Sequence, residues 1–317
     1  MSWKKLGLVY QSSAHISTWA KNSALTPTPI LRASGEIRVF SGFRDKEGIS
    51  RIGYVDLDPD NPSKIIKVSK EPVLDIGREG CFDDNGLILG DIVQHGNKLY
   101  LFYVGFQLVS KVKFLAFTGL AISRDEGESF QRVNESPFLD RHFGANYIAA
   151  VHSVLYEEGK WKFWYAAGDS WQTIDEKKYP NYGIKYFETN DLLQIPDEKT
   201  TCIPSSFQYY RVGRPRVYFN QHGYLMHYTA GNVNGDYFPS MANSTDGINW
   251  KLDSAKFPIN LSKIGWDSRH LCYPVMLALK NKILMFYNGN NMGFDGFGVA
   301  ESRDANVMEI FTSNIVR

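Results

Sequence analysis

One hairpin is written five times along this chain. The copies are "PILRASGEIRVFSGFRD" from Pro29, "DIVQHGNKLYLFYVGFQ" from Asp91 and "SVLYEEGKWKFWYAAGD" from Ser153. "PRVYFNQHGYLMHYTAGN" from Pro215 and "PVMLALKNKILMFYNGNN" from Pro274 complete the set. The starts at 29, 91, 153, 215 and 274 are separated by 62, 62, 62 and 59 residues. Such a period constrains a fold more than any composition does, because each copy is one supersecondary unit that must bury its faces on its neighbours.

Each unit continues alike. A third strand follows the hairpin, as in "GISRIGYVDL", "FTGLAISRD", "YGIKYFETND", "YFPSMANSTDG" and "GFGVAESRD". A turn and a fourth strand come next, as in "GESFQRVNESPF" and "GINWKLDSAKFPI". Four strands in about 60 residues with no long amphipathic helix describe a propeller blade. The middle strands "KLYLFYVG" and "KWKFWYAAG" are nearly continuous in apolar and aromatic residues. A half-exposed strand alternates; strands buried on both faces do not. The expected fold is therefore all-β: a single five-bladed β-propeller spanning residues 1–317, four antiparallel strands per blade, inner strands starting near 29, 91, 153, 215 and 274. The fifth unit has only 44 residues from Pro274 to the end. The strand-like segment at residues 3–11, "WKKLGLVYQ", is expected to supply its outer strand and close the ring. "VMEIFTSNIV" near the C-terminus is the rival for that place.

Bulk properties narrow the partners. Lys+Arg 35 against Asp+Glu 34 leaves a net charge of +1, which gives no electrostatic case for nucleic acid or an anionic membrane. The N-terminal "MSWKKLGLVYQSSAH" has no apolar stretch of signal-peptide length, and no run anywhere approaches a membrane span. Cys81, Cys202 and Cys272 are few, odd in number and widely spaced. They read as reduced thiols of a cytoplasmic protein, and no metal-binding spacing accompanies them. No metal or cofactor is expected. Aromatic residues make up 14% of the chain, which suits both strands and stacking on sugar rings.

"FDDNGLILGDIV" (82–93), "RPRVYF" (214–219) and "WDSRHLCYPVMLALKNKILMFYNGNNMGFDGFGVA" (266–300) carry a resemblance. With five units, they make the chain similar to the five-bladed glycoside hydrolase superfamily, which includes families 43, 32, 68 and 130. The last stretch is similar to uncharacterised glycosidase-like proteins of surface-polysaccharide gene clusters. "SRDEGESF" (123–130) also matches the Asp-box of sialidases, and "STDGINW" is a shortened version. In both, Asp capping its own turn is the expected use.

The resemblance implies a central funnel lined by the starts of the inner strands and the loops after the second strands. Those places hold His15, Arg44, Asp45, Asp83, Asp84, Asp91, Arg141, His152, Asp169 and Trp171. They also hold Arg211, Arg214, Asn232, Asp267, Arg269, His270, Tyr273, Asn288 and Asn290. Glycoside hydrolysis needs two carboxyl groups about the bond. The related hydrolases draw an Asp from the first inner strand, an Asp from the second and a Glu from the third. Here the first unit reads "TPTPIL" and the third has His152-Ser153, so the pattern departs. The catalytic candidates are Asp84, Asp91, Asp267 and His152. The substrate-binding candidates are Arg44, Arg141, Arg211, Arg214, Arg269, His270, Trp171, Tyr273, Asn288 and Asn290. Several guanidiniums in one funnel suit phosphate or carboxylate, which the planar fork binds in a bidentate way. The expected ligand is a sugar or sugar phosphate. Two functions stay open: action on glycosidic bonds of an anionic or phosphorylated sugar, by hydrolysis, phosphorolysis or transfer, and non-catalytic glycan binding. The oligomeric state is not legible.

Overall fold

A computed structural model describes residues 3–11 and 17–312; His15 lies outside them. The fold is all-β apart from one short 3-10 turn and a C-terminal helix, α1 (Ala305–Thr312). Strands β2 (Asn22–Leu31), β3 (Ile37–Arg44), β4 (Ser50–Leu57) and β5 (Ile65–Val68) pair in that order as an antiparallel meander. The next is β6 (Leu87–His95), β7 (Lys98–Gln107), β8 (Leu115–Ser123) and β9 (Gln131–Arg132). It is followed by β10 (Ile148–Glu157), β11 (Lys160–Ile174), β12 (Lys177–Thr189) and β13 (Thr200–Ile203). After them come β14 (Arg211–Asn220), β15 (Gly223–Gly231), β16 (Tyr237–Ser244) and β17 (Lys251–Asp253). Parallel contacts of β8 with β10 and of β12 with β14 join these last three meanders into one twelve-stranded sheet.

The remaining sheet runs β18 (Cys272–Leu279), β19 (Lys282–Asn288), β20 (Phe297–Ser302) and then β1 (Lys4–Tyr10). Strand β1 lies antiparallel to β20, Lys4 opposite Glu301 and Tyr10 opposite Phe297. The described part of the rival segment, residues 307–312, belongs to α1 and sets Phe311 against Tyr218 at 5.0 Å; its remainder lies outside the described residues.

The innermost strands touch in sequence: β2 with β6, β6 with β10, β10 with β14, β14 with β18, and β18 with β2. Hydrogen bonds run between the first four of these pairs, and a further one from β2 to Asn288 on β19. Thr26 Oγ1 donates to the Leu89 carbonyl (3.4 Å), and the Val154 amide donates to Asp91 (2.7 Å). The Val217 amide donates to Ser153 Oγ (2.9 Å), and the Met276 amide to the Tyr218 hydroxyl (2.8 Å). The Thr26 amide then donates to Asn288 Oδ1 (2.8 Å). Neighbouring units bury one another's aromatic faces, as where Phe102 meets Phe163 at 5.3 Å and Phe40 meets Phe130 at 5.8 Å.

Two units share a further device. Asp83 accepts from the Tyr103 hydroxyl (3.1 Å) on the second strand and from Arg132 (2.8 Å) on the fourth. Asp267 accepts from the Tyr287 hydroxyl (3.1 Å) on the second strand and from Lys5 (2.6 Å) on β1. The residue before each Asp stacks on the same Tyr, Phe82 on Tyr103 and Trp266 on Tyr287. Strand β1 thus stands to β20 as β9 stands to β8.

Each inner strand begins upstream of the repeat's marked start, at Asn22, Leu87, Ile148, Arg211 and Cys272. The ladder persists because a β-bulge places one extra residue on the inner strand, between Leu25 and Thr28, Leu89 and Asp91, or Val151 and Ser153. The others fall between Gly213 and Arg216 and between Cys272 and Val275. In three strands the bulge contains the proline, which removes its missing N–H from the ladder. Both Asp-boxes cap turns as expected, Asp125 between β8 and β9 and Asp246 between β16 and β17.

Candidate functional site

The bulges turn Thr26, Gly90, His152, Arg214 and Tyr273 toward one narrow cavity between these strands. Three of these residues precede proline and sit at positive φ: Thr26 (55°), Arg214 (54°) and Tyr273 (57°). That region is costly for side-chain-bearing residues, above all for β-branched Thr. Arg214 spans the cavity. Its Nη1 donates to the Leu89 carbonyl (2.8 Å) and to His152 Nδ1 (2.7 Å), and its guanidinium lies 5.0 Å from the Tyr273 ring centre. A guanidinium can only donate, so Nδ1 of His152 accepts and the proton of the neutral ring is on Nε2. Burial, then the Arg214 charge, holds the His152 pKa well below the usual histidine value. His152 is therefore a neutral hydrogen-bonding group here.

Arg44, at the end of β3, lies within electrostatic reach of Tyr273. Arg211 is caged by tyrosines, its guanidinium 4.9 Å from the ring of Tyr210, 5.0 Å from Tyr237 and 5.8 Å from Tyr179. Hydroxyl hydrogen bonds link Tyr182, Tyr237 and Tyr273 beside it. Other buried arginines have acids: Arg38 has Asp56 and Glu128, Arg51 has Asp45 and Asp75, Arg132 has Asp83, and Arg216 has Asp91. Among the described residues Arg44, Arg211 and Arg214 form no such pair. Burial accordingly lowers the pKa of Arg44 and of Arg214, whereas Asp56 and Glu128 raise that of Arg38 against its burial.

The carboxylate candidates are not assembled. Asp84 accepts from the Gly80 amide (2.9 Å) and from Asn85 (2.8 Å), so it closes its own turn. Asp91 is a strut: it takes the Ile92 and Val154 amides and pairs with Arg216. It lines a separate cavity of about 680 Å³, formed by the far ends of the inner strands with Phe311. Asp267 anchors β1 through Lys5. The binding candidates divide as well. Asn288 uses its amide to bind Ala24 and Gly296 carbonyls and the Thr26 amide. Asn290 shapes its loop by accepting the Arg269 and His270 amides. Arg141 is exposed, with its guanidinium over the Phe117 ring, and Arg269 is exposed. Trp171 is half-buried, with Phe114 and Tyr147 in T-shaped contact at 5.4 and 6.4 Å. His270 lies near Arg211 and Arg269. Thr26, Gly90, Tyr182 and Tyr237 went unnoticed in the sequence. The dipeptides Thr-Pro, Arg-Pro and Tyr-Pro at three of the five bulges were the available signal.

No protein-family model matches the chain. The uncharacterized Mycobacterium tuberculosis protein Rv1502 is 28% identical over 302 residues, covering 95% of this chain and 99% of that one. A glycosyl hydrolase from Bacteroides ovatus superposes with a TM-score of 0.67 at 16% identity, covering 96% of this chain and 94% of its own. A complex of BT0996 with RGII gives a TM-score of 0.68 at 15% identity, with 95% and 93% covered. A structure from the GH130 family of mannoside phosphorylases, which contains glycoside hydrolases that target β-1,2 mannosidic linkages in Candida mannan, gives 0.65 at 15% identity, with 95% and 94% covered. The chain has the fold of the propeller glycosidases.

Proposed function

We propose that the five meanders are the blades of a closed five-bladed propeller, and that its mouth binds an anionic or phosphorylated sugar on Arg44, Arg211 and Arg214. The observation that carries this reading is three enclosed guanidiniums without a carboxylate partner among the described residues. A buried charge left uncompensated is expensive, and a bound phosphate or carboxylate supplies the missing counter-charge in forked geometry. A carbohydrate ligand follows from the fold's neighbours, which include an RGII complex and mannoside phosphorylases. Recognition without hydrolysis is the better supported function, because Asp84, Asp91 and Asp267 are each committed to a turn, a strut or an anchor.

The test is thermal stabilisation by phosphate, hexose phosphates, hexuronates and neutral hexoses. Two charge-assisted bonds are worth roughly 3 kcal/mol, or about a hundredfold in affinity over a neutral analogue. Anionic ligands should raise the Tm and Arg214→Ala should abolish the rise. Equal response to neutral hexoses, or an unchanged response in the variant, refutes the reading.

A further inference from the structure

The hairpin of β11 and β12 is longer than its counterparts. Beyond a bulge at Asp169 it continues for five more residue pairs, from Ser170 opposite Asn181 to Ile174 opposite Lys177. Cross-strand partners share a face, so Trp171 and Pro180 occupy one face and Gln172, Tyr179 and Asn181 the other. The Trp171 face packs on Phe114 and Tyr147. The Tyr179 face turns to the fourth meander, where its ring meets Tyr210 at 6.0 Å and the Arg211 guanidinium at 5.8 Å. On this side Gln172 Nε2, Asn181 Oδ1 and Arg211 Nε are all shielded from solvent and have no hydrogen-bond partner among the described residues. His270 Nδ1, on a ring within electrostatic reach of Arg211, is in the same condition. Native interiors rarely leave such atoms unused, and Gln172 and Asn181 flank on one face the Tyr179 ring that meets the Arg211 guanidinium, so the face calls for an occupant.

We infer that this hairpin builds a second, uncharged subsite, which takes the hydroxyls of a neutral sugar unit next to Arg211. The inference rests on the reading that the mouth holds an anionic sugar. The unused atoms are mixed donors and acceptors. A hydroxyl both donates and accepts, so a run of ring hydroxyls matches them. A second anion is opposed by Asn181 Oδ1, and an apolar group leaves every one of them unpaired. The ligand is then an acidic glycan of at least two units, its charged unit on the axis and its neutral unit on the hairpin.

The test combines an array of uronate- and phosphate-bearing oligosaccharides of one to six units with thermal shift in inorganic phosphate. Wild type should retain acidic glycans of two units or more in preference to single units. The double variant Gln172→Ala/Asn181→Ala should lose at least tenfold in array signal while its phosphate shift stays unchanged. Gln172→Glu keeps the size of the side chain but replaces its donor, and should show the same loss if the double variant folds poorly. Retention of the wild-type array profile by these variants overturns the subsite. So does a wild type that is stabilised by phosphate yet prefers no glycan longer than one unit. If phosphate fails to stabilise wild type, the anion reading itself falls and the subsite with it, a result distinct from the other two.

Discussion

Replacing Lys5 with Met tests whether β1 is held as the fourth strand of its sheet. Lys5 Nζ sits 2.6 Å from Asp267 Oδ2 and 3.0 Å from Ser262 Oγ. The Asp267 side chain is 3% exposed and that of Lys5 24%. Removing one partner of a buried ion pair costs about 3–5 kcal/mol, because the other charge stays behind. Water reaches the lysine side, and the Tyr287 hydroxyl still donates to the carboxylate at 3.1 Å. Both reduce the penalty, so about 2–3 kcal/mol is expected. Met retains the apolar stem that Lys lays along the sheet, which confines the loss to the charge. Adding Asp267→Asn removes the stranded carboxylate and should return the protein to within about 1 kcal/mol of wild type. Urea unfolding followed by tryptophan fluorescence, with an unchanged m-value, reads these differences as midpoint shifts. The Lys5→Met loss should persist in 1 M salt, since a shielded pair is poorly screened. A loss below about 0.5 kcal/mol, or a double variant no better than the single one, refutes the anchor.

Three other outcomes are expected. Burial holds the His227 pKa down at about 3, against about 6.5 unfolded, so the unfolded chain binds the extra proton and stability falls as pH drops below 6.5. His227→Phe should remove about 1.4 kcal/mol per pH unit of that loss, so that at pH 4.5 the variant has gained about 2.7 kcal/mol relative to its own difference at pH 7; parallel stability–pH curves would count against it. Asn288→Ala strips three hydrogen bonds, two of them between the last and first meanders, and should cost about 3 kcal/mol, seen as a fall in Tm; a loss under 1 kcal/mol would show that water replaces the amide. Asp125→Ala should cost about 1–2 kcal/mol by undoing a turn cap while leaving phosphate stabilisation intact, and altered ligand response would show that the box reaches the mouth.

The repeat was legible because its period is written in strand residues, and strand residues are what the units bury. That "WKKLGLVYQ" forms a strand was legible in its residues, and its place beside β20 is what the folded chain adds. The bulges could not be read, because an extra residue in a ladder leaves no gap in a sequence of alternating units. Missing them moved the strand starts by several residues and hid Thr26 and Gly90. The acids misled for a different reason. Asp84, Asp91 and Asp267 stand where catalytic acids could, yet an Asp beside a free amide, an Arg or a Lys satisfies the same pattern. Only the folded chain reveals which neighbour it has. The arginines show the same limit: Arg44 is followed directly by Asp45, yet Asp45 pairs with Arg51, and that choice too is visible only in the folded chain.

The bulged position also separates what the chain repeats from what it varies. An unpaired residue owes nothing to the ladder, so its side chain can change while the strands on both sides keep their partners. Gly90 is the exception, since a Cβ there would come within 2.3 Å of the Val151 carbonyl oxygen and 2.5 Å of that of Phe102. Thr26, His152, Arg214 and Tyr273 remain as four editable addresses on a periodic scaffold, three of them coupled because Arg214 touches both His152 and Tyr273. New selectivity on this axis is then a combinatorial problem in four letters, searchable as a small saturation library without redesigning a single strand.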